Sequence, residues 1–250
     1  MTSPSYVAFG DSMSIDSYPD RQASQLGVRA RGLGAASMLF RNNDQLWPEF
    51  TGSDLASRWS GLQFLNVSED GAVGEDIKLQ LRRVRDRDVR LATFTMGGND
   101  LLVAYQFGGG TRRLAQLVEH AAERMAESLG IVRDALPDAL FVLTTVYDPT
   151  DGTGWLAPFP EKLPLEFLDV MNAQFAALVK SDPRALLADV HRHFLGHGLT
   201  VTGDEHWYLP GAPIEPGLQG ASEIRRVWWE AVSTSLPGLA GQSSDRDDLR

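Results

Sequence analysis

Five short apolar runs, each parted from the next by helical periodicity, constrain this chain's fold most tightly. They occupy residues 6–9, 62–67, 91–96, 139–146 and 185–190 and are rich in Val, Leu, Phe and Thr. They are continuous rather than alternating, as strands buried on both faces must be. Between and after them the spacing predicts helices over residues 34–40, 54–59, 75–84, 112–135, 165–179 and 218–232. A β-α alternation of this kind calls for one parallel sheet with helices on both faces. No internal repeat or change of composition marks a second unit, so residues 1–242 are expected to form one domain. The polar stretch 243–250 (SSDRDDLR) is expected to be a disordered tail.

Composition narrows the chemistry. Against 33 acidic residues stand 23 basic ones, a formal charge of −10, which lacks the electrostatic footprint of a nucleic-acid binder. There is no cysteine, which excludes disulfides, thiolate metal sites and a Cys nucleophile. Covalent catalysis would have to use Ser, Thr, Lys, Asp, Glu, His or Tyr. No apolar run approaches the roughly 18 residues that span a bilayer. Residues 1–6 carry neither a basic segment nor a long apolar one, so the expectation is a cytoplasmic protein without a signal peptide.

Three Gly-flanked polar groups follow three successive predicted strands. After the first comes Gly10-Asp11-Ser12-Met13-Ser14, where a sharp turn exposes the Ser12 hydroxyl near a helix N-terminus able to stabilise a developing oxyanion. After the second comes Asn66-Val67-Ser68-Glu69-Asp70-Gly71-Ala72, with the Gly71 N–H as a further donor. After the third comes Met96-Gly97-Gly98-Asn99-Asp100, whose Asn99 amide is a natural oxyanion donor. Each group alone reads equally well as a turn or a cap. A parallel sheet delivers all three to one edge, and turn chemistry alone does not account for that.

On these motifs the chain resembles the SGNH, or GDSL, family of serine esterases and lipases, in order from the first strand to the last helix. The resemblance implies a three-layer, flavodoxin-like α/β sandwich with a five-stranded parallel sheet. It also implies Ser12 as nucleophile and an oxyanion hole made of the Ser12 N–H, the Gly71 N–H and the Asn99 side chain. No cofactor is implied.

The family's Asp-x-x-His before the final helix is missing. The corresponding stretch is Ala212-Pro213-Ile214-Glu215-Pro216-Gly217-Leu218-Gln219-Gly220. Pro216 and Gly220 fit the framework, which sets Glu215 at the usual His position and Ala212 at the usual Asp position. Three groups are candidates for the base. His206, nine residues before Glu215 on an expected loop, is preferred, with Asp204, Glu205 or a carbonyl to orient it. His197 is the second candidate. Glu215 is the third, and it requires burial, because a carboxylate near its ordinary pKa of about 4.3 is a poor base at neutral pH.

The remaining candidates surround these. Asp11, Asp16, Tyr18 and Trp207 are expected at the substrate pocket, with Asp16 alternatively a cap. Trp155, Phe159 and Tyr208 fall on loops expected to wall the site. The 147–164 connection, rich in Pro, Gly and Asp, is expected at the carboxyl edge of the sheet as a long link or partial lid. His191, His193 and His197 spell H-x-H-x-x-x-H, and a metal-dependent hydrolase is a lesser alternative; the expectation is no metal. The other alternative is a binding module that keeps the oxyanion pocket without turnover. The preferred reading is hydrolysis of a small, neutral carboxylic ester through an acyl-enzyme on Ser12. Acyl and alcohol specificity and oligomeric state are not legible in the sequence.

Overall fold

A computed structural model describes residues 3–236; the expected tail at 243–250 lies outside them. Five strands form the central sheet: β1 (Pro4–Phe9), β2 (Gln63–Asn66), β3 (Asp88–Phe94), β4 (Leu140–Thr144) and β5 (Ala185–Ala188). They run in the order β2-β1-β3-β4-β5, every neighbouring pair parallel. This is the flavodoxin-like order, in which ligands bind outside the carboxyl ends of the strands.

The strands are continuous in sequence because both faces are covered. In β1, Val7 and Phe9 enter one apolar cluster and Tyr6 and Ala8 the other. Helices α4 (Ile77–Leu81), α5 (Gly98–Phe107), α6 (Thr111–Ala135) and α7 (Glu166–Ser181) supply the first cluster. Helices α2 (Ala35–Phe40), α3 (Leu55–Arg58) and α9 (Leu218–Val232) supply the second. The indole N–H of the fully buried Trp228 donates to Thr144 Oγ1 (2.9 Å), which ties α9 to the centre of the sheet.

Four features depart from the sequence pattern. Helix α1 (Ser17–Gln25) follows the Ser12 turn, and α5 grows directly out of the Gly-Gly-Asn-Asp segment. The segment after β5 makes a short helix, α8 (Val190–Phe194), whose Arg192 N–H is capped by the Asp189 carboxylate at 3.2 Å. The segment expected as a loop before α9 instead forms a hairpin of β6 (Tyr208–Leu209) and β7 (Ala212–Pro216). The hairpin register pairs Tyr208 with Pro216, and its position decides which residue reaches the site. Among the described residues no helix is long and apolar enough to cross a membrane.

Candidate active site

The turn after β1 is held from three sides. Gly10 sits at φ +127°, and a Cβ there would lie 1.9 Å from the Thr95 carbonyl oxygen, so no other residue fits. The Gly10 N–H donates to Gln80 Oε1 and the Gly10 carbonyl accepts from Gln80 Nε2, both at 2.8 Å. Thr95 Oγ1 accepts from the Asp11 N–H (3.1 Å) and lies 2.9 Å from Ser14 Oγ. The next residue along this fixed turn, Ser12, is 7% exposed and lines a cavity at the carboxyl edge of the sheet.

The backbone N–H groups of Ser12 and of Gly71, on the adjoining groove, have no hydrogen-bond partner among the described residues. Asn99, in the first turn of α5, lines both the Ser12 cavity and the groove that Gly71 borders. Its Nδ2 donates to the Ala72 carbonyl (2.9 Å), which fixes the amide and leaves its second hydrogen available. The neighbouring Asp100 takes the Gly74 N–H (2.8 Å), so α5 also holds the Gly71 loop. Asn66, whose amide reaches the Ser14 carbonyl (2.9 Å), links that loop to the Ser12 turn.

Strand β7 brings Glu215 to Ser12. The carboxyl is 7% exposed, and its Oε2 is buried without a hydrogen-bond partner. Burial pushes its pKa up to about 7; the facing Ser12 hydroxyl pulls it down, Asp70 and Asp11 push it up, and Arg21 pulls it down. Asp11, also on the cavity wall, is raised to about 6 by burial, opposed by the Met13 N–H. At the rim the Tyr18 hydroxyl donates to Asp70 Oδ2 (2.8 Å), with Arg21 lying over the Tyr18 ring. Tyr18 borders the groove, while Asp70 and Gln80 carried no sequence signal beyond residue type.

No histidine lines the cavity or the adjoining groove. The hairpin register explains why His206 is not brought to Ser12. With Tyr208 opposite Pro216, the Trp207 carbonyl accepts the Gly217 N–H (2.8 Å), and the chain before it is carried to the first turn of α9. There the His206 ring packs beside Tyr208, centroids 5.9 Å apart. His197 stacks on Trp207 at 3.5 Å and donates from Nδ1 to the Glu205 carbonyl (2.9 Å). His191 bonds the Val146 carbonyl (3.2 Å) and His193 the Glu223 carboxylate (2.8 Å), so the three clustered histidines serve three different partners.

Other expectations also change. Asp16 caps rather than lining the pocket: its carboxylate takes the Gly34 N–H (2.9 Å) at the start of α2 and the Ser37 hydroxyl (3.0 Å). Trp207 and Tyr208 are core residues, Trp207 closed in by His197 and Phe194. Trp155 is solvent-exposed, whereas Phe159 borders the groove. The 147–164 connection does wall the site, contributing Leu156 and Leu163.

No family model matches the chain, and no curated protein matches it in sequence. Solved structures match over nearly its whole length. An extracellular lipase from Streptomyces rimosus superposes with a TM-score of 0.56 at 22% identity, covering 91% of this chain and 99% of that one. A GDSL-like lipase from Parabacteroides merdae gives 0.58 at 16% identity, covering 94% and 97%. An acetylxylan esterase from Geobacillus stearothermophilus gives 0.59 at 13% identity, covering 92% and 94%. The chain has the fold of the GDSL-type lipases and esterases.

Proposed function

We propose that this protein hydrolyses a neutral carboxylic ester through an acyl-enzyme on Ser12, with Glu215 as the general base. The observation that carries this reading is the buried Glu215 carboxyl facing the Ser12 hydroxyl with its pKa raised to about 7. A base works best with a pKa near the operating pH, and burial has moved a carboxylate into that range. His206, preferred on sequence grounds, is replaced in this role because no histidine reaches the cleft.

In the proposed reaction Ser12 Oγ attacks the ester carbonyl and its proton passes to Glu215. The negative charge that develops on the carbonyl oxygen is met by the Ser12 and Gly71 N–H groups and the Asn99 amide, aligned before reaction and so costing little reorganisation. The tetrahedral adduct collapses, Glu215 returns the proton to the departing alkoxide, and Ser12 is left acylated. Water then attacks the acyl carbon, Glu215 again takes the proton, and the acid leaves as Ser12 recovers its hydrogen. Asp70, Asp11 and Glu215 make the site electronegative, as the chain is overall, which disfavours anionic substrates.

A fluorophosphonate probe and p-nitrophenyl butyrate test the assignment. Labelling at Ser12 is expected and disappears in Ser12→Ala. Glu215→Gln is expected to lower turnover by about 100-fold or more, the usual worth of a positioned base. His206→Ala is expected to stay within about twofold of the parent, since a side chain outside the cleft takes no part in proton transfer. A silent Glu215→Gln alongside an inactive His206→Ala overturns the base assignment. Absence of both labelling and turnover leaves a binding module instead.

A further inference from the structure

Glu215 faces Ser12 with little on its own strand to aim it. Ala212, three residues before it, has no polar side-chain atom, and Glu215 Oε2 has no hydrogen-bond partner. The hairpin ladder is open at this point. Tyr208 pairs with Pro216 and Leu209 with Ala212, so residues 213–215 have no counterpart on β6. Pro213 and Pro216 also lack an N–H with which to secure the strand elsewhere. A segment held only at its two ends would let the carboxyl swing from Ser12 and take up water.

One contact closes the gap. Tyr147, three residues past the end of β4, donates its hydroxyl to the Ile214 carbonyl at 2.6 Å, on the peptide that leads into Glu215. That length is at the short end for an O–H···O bond. Tyr147 is itself fixed: it is buried, its ring stacks on Phe194 (centroids 5.1 Å apart, 15° between planes) and meets Tyr208 edge-on (5.0 Å, 89°). Burial, with Tyr208, Glu215 and Asp11 adding to it, pushes the phenol well above its usual pKa, so it stays a neutral donor. Tyr147 and Ile214 both line the Ser12 cavity, which sets this bond beside the site.

We infer that Tyr147 is the positioning residue of the base: through the Ile214 carbonyl its hydroxyl holds the unpaired middle of β7, and Glu215 with it, against Ser12. Its bearing on catalysis rests on the proposed role of Glu215. Tyr147→Phe removes one hydroxyl and no charge, leaving Asp70, Asp11, Arg21 and the Tyr18 hydroxyl around the carboxyl as they were. Tyr6→Phe is the control. It loses the same kind of buried bond, to Thr93 Oγ1 (2.9 Å), within the apolar cluster that also holds Tyr147. With p-nitrophenyl butyrate, Tyr147→Phe is expected to lower kcat by about tenfold or more and leave KM within about twofold, because a misplaced base slows the chemical step without weakening substrate binding. Tyr6→Phe is expected to lower the melting temperature alone. The Glu215 carboxyl carbon, identified by its absence from Glu215→Gln, is followed by NMR against pH. Its midpoint is expected to fall from about 7 toward 4.5 in Tyr147→Phe, as water reaches the carboxylate, and to stay in place in Tyr6→Phe. An unmoved midpoint, equal movement in both variants, or a parental kcat in Tyr147→Phe where Glu215→Gln is inactive overturns the inference. Its failure and that of the base assignment are distinct. A silent Glu215→Gln with a midpoint lowered only in Tyr147→Phe removes the base and keeps the anchor; an inactive Glu215→Gln with an unmoved midpoint does the reverse.

Discussion

The side-chain amide of Gln80 closes on both backbone groups of Gly10, donor to acceptor and acceptor to donor, each at 2.8 Å. Gly10 lies one residue past the end of β1, where the ladder to β3 stops supplying partners. Gln80, on α4 and 1% exposed, completes the pairing that a strand would otherwise provide and fixes the turn carrying Ser12. Gln80→Leu leaves the Gly10 N–H buried and unpaired at a cost of about 1–3 kcal/mol, while the Gly10 carbonyl keeps the Glu69 N–H (3.0 Å). The expected result is a melting temperature lower by several degrees and slower fluorophosphonate labelling of Ser12 well below that temperature. Gln80→Glu sets a carboxylate oxygen against the Gly10 carbonyl and is expected to be no better than leucine at neutral pH. Both measurements at parental values would show that the turn holds itself.

Turnover should follow the protonation of Glu215. The carboxylate accepts the Ser12 proton and the carboxylic acid cannot, so activity rises with pH through about 7. A histidine base would give a similar midpoint, and the two are separated by the charge of the conjugate acid. Protonating a carboxylate yields a neutral group, whose pKa rises in a medium of lower dielectric constant; protonating imidazole yields a cation, whose pKa falls. Adding organic cosolvent is therefore expected to move the acid limb of kcat/KM upward. A downward movement points to an imidazole.

The same carboxyl sets a pH dependence of stability. Its folded pKa, about 7, lies above the 4.5 it has unfolded, so between those values the folded state binds the proton more tightly. Stability is then fully present below about pH 4.5, falls as pH rises through the window and levels off above about 7. At about 1.4 kcal/mol per pKa unit the loss is on the order of 3 kcal/mol. Asp11, raised from 3.8 to about 6, acts in the same sense over a lower window. Glu215→Gln removes the Glu215 share, so at pH 8 the inactive variant is expected to be more resistant to urea than the parent. At pH 4.5 the two should converge. A variant equally destabilised at both pH values would mean that packing, not charge burial, dominates.

The layers of this fold were legible because doubly buried strands leave continuous apolar runs, and all five lie where those runs predict. Helix α5 was hidden by its own start, since Gly97-Gly98-Asn99-Asp100 has the composition of a turn. Trp207 read as a pocket residue because it falls on a loop expected around the site; stacking on His197 makes it core instead. The Ser12 turn and the groups proposed to hold the oxyanion could be picked out because each is local to one strand end. The base could not. Sequence proximity favoured His206, whereas the β6–β7 hairpin sets Glu215 on the groove and no histidine there. Burial does most to raise the Glu215 pKa, and the charges that add to it lie on other segments: Asp70 on the β2 loop and Asp11 beside Ser12. Gln80 pairs with backbone 70 positions away, a contact that leaves no side-chain pattern to read.

Two charges at the rim bear on Glu215 with opposite signs, and each can be removed without touching Ser12. Asp70 disfavours the carboxylate and raises the Glu215 pKa; Arg21 favours it and lowers the pKa. Asp70→Asn should therefore move the acid limb of kcat/KM to lower pH, and Arg21→Gln should move it to higher pH. Asp70 also holds the Tyr18 hydroxyl, so Tyr18→Phe is the control for that hydrogen bond, because it removes the bond and keeps the charge. If the shifts are Coulombic they shrink as ionic strength rises, since the Debye length falls from about 10 Å at 0.1 M to about 3 Å at 1 M. Opposite displacements that both collapse in high salt place the titrating base beside Asp70 and Arg21, where Glu215 lies. Displacements of the same sign, or none, would place the titrating group away from Glu215.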